Sequence, residues 1–509
     1  MTGLNVGDGA DEHEPGEVYI ESELKRETNW WGAFVIGLAG TILVTGIAPV
    51  MVTTLGAASI PLTVVVTVSG WLLCLFLAEL ATMMPHRSGG SPSYAYPAYK
   101  DRWPRLAKHI NGITTWMYWL GWFPVAPLNM ILASFYLAAL FHLNTTAGIN
   151  PLGTPIAYWT IVISIIGILA FFIPAWKGIR FGAAFATILG VLSMIPLTFI
   201  AVAWIFVPGA VHLHELAGFP HLDGSSFFAG MGGHGWLTVY IAYAFLLTWN
   251  VIAMEAAACY IGECADPARD AKISLTLEGG YGVFIYTLIP VAFVVVLGAK
   301  ALSNSALADP KAIFVTFASK LFPGIGGALD WLIAGMLIIA LALSALNAIM
   351  GSGRALYQMA LDGEFPRFFQ QLNKHGVPAN AMGFNVFCSL IVVFMGGAVQ
   401  IYTFSNVGYT ASFIPVLIGY FLLRQDKKDA KRPFKLPEFM KWVALAMAAF
   451  YFIIWSYGGY IYSAMGGARL YYWLGWATLF AYLPFYWYRT YIENPRIKAS
   501  QGIYIAAGD

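Results

Sequence analysis

Apolar residues along this chain come in long unbroken blocks separated by short polar segments, with none of the strict alternation of a half-buried strand. A hydrocarbon core about 30 Å thick needs roughly 20 residues of helix to cross it. Blocks of that kind run from Trp31 to Leu55, Ile60 to Met84, Gly112 to Phe141, Ile156 to Ala175, Phe181 to Val207 and Trp236 to Ile261. The second half offers Gly280 to Leu297, Trp331 to Met359, Ala381 to Val399, Ile401 to Leu423, Trp442 to Ser463 and Tyr471 to Tyr488. The pattern predicts an all-α integral membrane protein with about 12 transmembrane helices, since helices satisfy their own backbone groups where no water reaches. The first residues, with the acidic run Gly9-Ala10-Asp11-Glu12-His13-Glu14-Pro15-Gly16-Glu17, lack the basic start and apolar core of a cleavable signal. They read as a disordered tail in the cytoplasm.

Composition agrees with a lipid-facing surface. Of the 509 residues, 59% are hydrophobic and 11% are charged, against about 25% charged in soluble domains. The net charge of +2 is small and its basic residues are scattered through loops, so no nucleic-acid partner is expected. With the amino terminus inside, only Lys300, Lys311, Lys320 and Arg469 of the 28 lysines and arginines fall in outer segments. Cytoplasmic loops are where such residues accumulate, so the charges place both termini in the cytoplasm of a cell inner membrane protein. Cys74, Cys259, Cys264 and Cys388 all lie in or beside apolar blocks and read as small buried hydrophobes.

Ionisable groups at bilayer depth are expensive and informative. All nine histidines lie in tails, loops or block ends, and no lysine or arginine lies well inside a block. That leaves no metal site, no histidine relay and no nucleophile with its base, so neither a cofactor nor an enzymatic activity is expected. The carboxylates are Glu79 and Glu255. Glu79 reads as a helix-end group paired with Arg87 or with the loop backbone. Glu255, in the sixth block, either couples a proton to transport or tethers its helix to a neighbour. The first block contains Gly40-Thr41-Ile42-Leu43-Val44-Thr45-Gly46-Ile47-Ala48-Pro49, where glycine and proline predict a broken helix near mid-membrane. Broken helices present bare amides and carbonyls to a solute.

Several separated motifs stand in order along the chain. After the second block come Ala78-Glu79-Leu80-Ala81, Met84-Pro85 and Ser88-Gly89-Gly90-Ser91-Pro92-Ser93-Tyr94-Ala95-Tyr96. After the eighth come Arg354-Ala355-Leu356-Tyr357-Gln358-Met359-Ala360, Asp362-Gly363, Phe365-Pro366 and Asn373-Lys374. The sixth block adds Ala253-Met254-Glu255, Glu263 and Asp266-Pro267-Ala268-Arg269. Together these motifs resemble the amino acid, polyamine and organocation permeases, and the resemblance covers roughly Trp31 to Leu423. It implies a five-plus-five inverted repeat with discontinuous helices 1 and 6, followed by two C-terminal helices. On that frame, residues 1–28 form the N-terminal tail, 29–425 the ten-helix core, 426–489 helices 11 and 12, and 490–509 the C-terminal tail.

The resemblance also implies a substrate site made of Thr45, Gly46 and Ile47 on helix 1, opposed by Trp249, Asn250, Ala253 and Met254 on helix 6. Glu255 matches a position proposed for proton sensing in arginine/agmatine antiporters of this family. Ser344 and Asn347 on helix 8 offer oxygens to a cation or hydrogen bonds to neighbouring helices. Trp119 of helix 3, with Trp122 and Phe123, is a further candidate for the pocket wall or for packing. Three positions depart from the family pattern. Val44-Thr45-Gly46 stands where Gly-Ser-Gly is usual, Ala253 replaces a glycine, and Gly190 stands where many proton-coupled relatives have a lysine. The expected activity is secondary active transport of a small amino acid by alternating access, with a proton or Na+ as coupling ion. An amine or polyamine carrier, or a nutrient sensor without turnover, is the alternative.

Overall fold

The computed structural model describes residues 24–85, 87, 89–217 and 227–500. Most of the expected N-terminal tail, the last nine residues of the expected C-terminal tail, and Ser88 of the motif after the second block lie outside them. Asn29 starts the first helix, α1 (Trp30–Thr41), its Oδ1 accepting the Trp31 and Gly32 amides at 3.0 and 3.2 Å. Two residues of irregular chain, Ile42 and Leu43, separate α1 from α2 (Val44–Leu55). Gly56, at φ 55°, turns the chain into α3 (Ser59–Met83), a backbone angle that glycine adopts without strain.

The third span is α4 (Pro104–Trp122) and α5 (Val125–Leu140), bent at Phe123–Pro124. A two-stranded hairpin, Gly148–Ile149 with Ile156–Ala157, leads to α6 (Tyr158–Trp176) and α7 (Ile179–Ala203). The sixth span begins as α8 (Trp236–Ile252) and tightens into a 3-10 segment, Ala253–Glu263. There follow α9 (Pro267–Leu297), α10 (Ala328–Leu361), α11 (Ala379–Val392), α12 (Ala398–Asp426), α13 (Met440–Ile453) and α14 (Arg469–Phe480).

Among the described residues, nine helical runs are long and apolar enough to cross a membrane. The reading of about 12 differs for identifiable reasons. The run Trp30–Met83 contains two of the expected spans, Ala379–Met395 is shorter than the others, and the last expected span is interrupted at Ala481. Side chains on α6, α7 and α14 stand exposed (Ile166, Phe199, Trp473), as a lipid-facing belt requires, whereas α3, α9, α1 and the 3-10 segment pack on one another in the interior.

Three expectations need correction. Glu79 does not pair with Arg87: its Oε2 accepts Arg424 Nη2 at 2.5 Å, Tyr420 OH at 2.9 Å and the Leu436 amide at 3.0 Å, while Arg87 pairs with Asp362 at 2.6 Å. Arg354 lies inside α10 with no exposure and is ion-paired to Glu263. The seventh span begins at Pro267 rather than Gly280, which brings a further carboxyl, Glu278, into the interior.

Candidate functional site

The interruption in the first span falls at Ile42–Leu43, just before the Thr45–Gly46 pair that sequence marked. Thr45 folds back on it, its amide and its hydroxyl both bonding Ile42 O, at 3.2 and 3.0 Å. The Gly46 amide donates to Leu43 O at 3.0 Å. The two broken helices meet a turn earlier, at Gly40, where a Cβ would overlap the carbonyl of Ala253. Only a hydrogen side chain lets α1 approach the first residue of the 3-10 segment this closely. That segment contains no proline and only Gly262, near its end, so local sequence does not force it; packing against α1, α3 and α9 accompanies it.

Gly46 faces α12, its nearest neighbour being the Tyr402 hydroxyl, 3.3 Å from where a Cβ would stand. The Trp249 ring meets Tyr402 edge-on at 4.8 Å and Tyr409 at 6.4 Å. Gly46, Trp249 and Tyr402 therefore converge, and Ile47, Asn250 and Ala253 are buried beside them on the same two spans. Met254 turns away: its side chain fills the space left by Gly70 of α3 and Gly282 of α9. Trp119 is not part of this group. It stacks on Phe123 at 4.3 Å and donates its indole N–H to Asn385 of α11 at 3.2 Å. Tyr402 was missed by sequence reading, which had no local signal to link the tenth span to the first.

Glu255 forms a hub of neutral donors. Ser91 Oγ donates to its Oε2 at 2.8 Å, and Tyr118 OH and Tyr409 OH donate to its Oε1 at 2.8 and 3.1 Å. One carboxyl thus ties the 3-10 segment to the loop after α3, to α4 and to α12. On α10, the Asn347 side chain accepts a hydrogen bond from Tyr260, and Gly190 is covered by Val35 and Leu343, leaving no polar group in that position. Several buried polar atoms around the two breaks lack a protein partner: Thr41 Oγ1, Trp249 Nε1, Asn250 Oδ1, Ser344 Oγ and Asn347 Nδ2. Unpaired polar atoms in a dry interior are costly, at about 1–3 kcal/mol each. Among the described residues no group of histidine, cysteine and carboxylate side chains is placed to hold a metal.

These helices, with interrupted first and sixth spans around a buried carboxyl, define an all-α membrane protein of the permease class. The amino acid permease family model matches residues 29–481, and the chain belongs to that family. It is similar to the L-asparagine permease of Escherichia coli, 26% identical over 404 residues, covering 75% of this chain and 74% of that one. The γ-aminobutyric acid permease of Bacillus subtilis is 25% identical over 445 residues, covering 81% and 82%. An uncharacterized amino acid permease of Bacillus subtilis, YvbW, is 26% identical over 238 residues, which spans 45% of this chain and 49% of that relative.

Proposed function

We propose that the chain is a secondary active transporter that moves a small amino acid across the cell membrane by alternating access, with both termini in the cytoplasm. The observation that carries this reading is the meeting of two interrupted helices at Gly40 and Ala253, with Trp249 and Tyr402 closing over Gly46. Interrupted helices of this kind bind solutes at the midplane because their half-helix ends carry unpaired dipoles. Unpartnered atoms of Thr41, Trp249 and Asn250 supply further donors and acceptors, and a polar solute there offsets the cost of their burial. Every residue of the proposed site is at most partly accessible, so the structure is a closed form, and solute enters when the 3-10 segment and α1 move together against α4, α10 and α12. Glu255 holds the closed form through Ser91, Tyr118 and Tyr409 and acts as the coupling or gating group. Short relatives of the substrate class are suggested by the names L-asparagine and γ-aminobutyric acid among similar permeases.

The test is uptake of labelled L-asparagine, γ-aminobutyrate and the other common amino acids into proteoliposomes. Uptake above empty liposomes is expected for at least one of them. Trp249→Ala removes the wall that meets Tyr402, and is expected to lower that uptake on the order of tenfold or more, as loss of a well-packed aromatic contact does, while the variant elutes as folded protein. Uptake at the empty-liposome level for every amino acid defeats the proposal.

A further inference from the structure

Glu278 stands near the middle of α9 with no exposed surface. Its Oε2 accepts the Ala257 amide of the 3-10 segment at 3.1 Å, and its Oε1 has no protein partner. Across from it on α1 is Gly37, where a Cβ would lie 2.6 Å from both carboxyl oxygens and 2.7 Å from the Ala257 nitrogen. The carboxyl therefore fits only because α1 has a glycine there, and it touches both of the spans that are interrupted. The titratable groups around it are Cys74 from α3, Glu255, Cys259 and Tyr260 from the 3-10 segment, and Tyr409 from α12; α1 contributes none. None of these is a cation, and among the described residues no lysine or arginine forms an ion pair with Glu278.

We propose that Glu278 is a second proton-binding carboxyl of the transport cycle, holding a proton while the Ala253–Glu263 segment is seated and releasing it to water when that segment swings away. Carboxylates on Glu278 and on Glu255 of the segment itself, neither of them ion-paired to a lysine or arginine among the described residues, repel each other and are poorly solvated. Seating the segment therefore accommodates Glu278 as the neutral acid, with the proton on Oε1 and the Ala257 amide on Oε2. Moving the segment withdraws that amide and opens Oε1 to water, where the proton leaves. No bond other than O–H forms or breaks, and the proton comes from one aqueous side and goes to the other. The role of Glu278 in coupling rests on the carrier reading above, whereas its proton binding does not.

Two measurements on the full chain in liposomes separate these parts. Infrared spectra taken from about pH 5 to about pH 9 bracket the range in which a perturbed carboxyl titrates. They are expected to show a protonated-carboxyl C=O band that responds to pH in the wild type and is absent from Glu278→Gln. A variant that keeps the wild-type band and its titration overturns the proposal, whether or not any solute is transported. In flux assays with the amino acids that the wild type carries, Glu278→Gln is expected to keep solute exchange within about twofold and to lose proton-gradient-driven accumulation by about tenfold, a typical coupling energy. Glu278→Asp, which keeps an acid, is expected to restore part of the accumulation. Gradient-driven accumulation by Glu278→Gln equal to that of the wild type overturns the coupling role. If the wild type carries no amino acid, the carrier reading falls and the infrared result alone decides whether Glu278 binds a proton.

Discussion

Gly40 shows how much depends on a missing side chain. Because the atom facing it is the backbone carbonyl of Ala253, and not the tip of a flexible side chain, Gly40→Ala can be accommodated only by moving α1 away from the 3-10 segment. Overpacking of this kind typically costs about 1–3 kcal/mol. Gly40→Ala is therefore expected to lower the melting temperature in detergent and to abolish uptake together. Gly46→Ala meets only the Tyr402 hydroxyl, at 3.3 Å, and is expected to leave the melting temperature unchanged while weakening uptake. Equal destabilisation by the two substitutions contradicts this account. Both glycines were visible in the same sequence run. Gly46 was singled out through the family resemblance, whereas the tight fit at Gly40 depends on a carbonyl more than two hundred residues later, which no local pattern reveals.

Helices and their limits were legible in proportion to how local their causes are. Long apolar blocks marked the spans, because bilayer thickness acts within one segment, and the run from Gly40 to Pro49 marked the interrupted first helix to within a few residues, although Pro49 itself sits inside α2 and the break falls at Ile42–Leu43. The 3-10 segment of the sixth span was expected only from family likeness, since no proline and just one glycine lie between Ala253 and Glu263. Glu278 escaped because a window that excludes charge stops at Gly280, whereas the helix continues through the carboxyl and has its own amide partner in Ala257. For Glu79 the expected backbone partner is present in the Leu436 amide, but Arg87 is not its partner, because Arg424 and Arg432, which take that place, are distant in sequence.

The same interior holds the pair of Arg354 on α10 with Glu263 at the end of the 3-10 segment, both almost fully buried, with the guanidinium also 5.1 Å from the Tyr260 ring. Removing one member strands the other charge, at a cost of about 3–5 kcal/mol. Arg354→Met should therefore lower the melting temperature sharply, and adding Glu263→Leu should recover most of the loss. A double variant no better than the single one speaks against a stranded charge as the cause.

The loop after α10 adds a pH dependence. Burial, reinforced by the neighbouring Asp362, pushes the Glu364 carboxyl well above the usual glutamate range, and Asn111 donates to its Oε2 at 2.9 Å. At pH values below that range, folded and unfolded chains both hold the proton and Glu364 has no effect. As pH rises through it, the unfolded chain loses the proton first, so folding stability falls until the folded group also ionises. Glu364→Gln retains an acceptor for Asn111 and should flatten that decline in melts taken across neutral pH. Parallel pH curves for wild type and variant count against it.

At the scale of the whole molecule, the buried ion pairs gather at one end of the bundle, the end where the chain enters α1. Glu79 joins α3 to Arg424 of α12 and, at 3.1 Å, to Arg432 of the following loop; Arg87 joins Asp362; Glu263 joins Arg354. At the opposite end the described pairs are exposed ones such as Lys311 with Asp330. Buried pairs are screened less than surface pairs and are lost as units when water enters, so this end is closed by a small number of discrete contacts. A device of that kind opens by steps: each pair removed raises the population of the open form by a factor set by its net contribution, about tenfold for every 1.4 kcal/mol. Glu79→Gln keeps the side-chain shape and removes the charge shared by two arginines at once, leaving Arg424 only its pair with the exposed Glu438 at 3.2 Å, so it loosens this end with little change in packing. Cys259 reports the opening, because it is buried behind these pairs with its sulfur 3.1 Å from Tyr118 OH. In a background carrying Cys388→Ser, which removes the half-buried cysteine on α11, a water-soluble maleimide should modify detergent-purified wild type slowly and Glu79→Gln on the order of tenfold faster, with Cys259→Ser abolishing the difference. Equal labelling rates show instead that the end near α1 is held shut by its apolar packing, and that the ion pairs follow closure without controlling it.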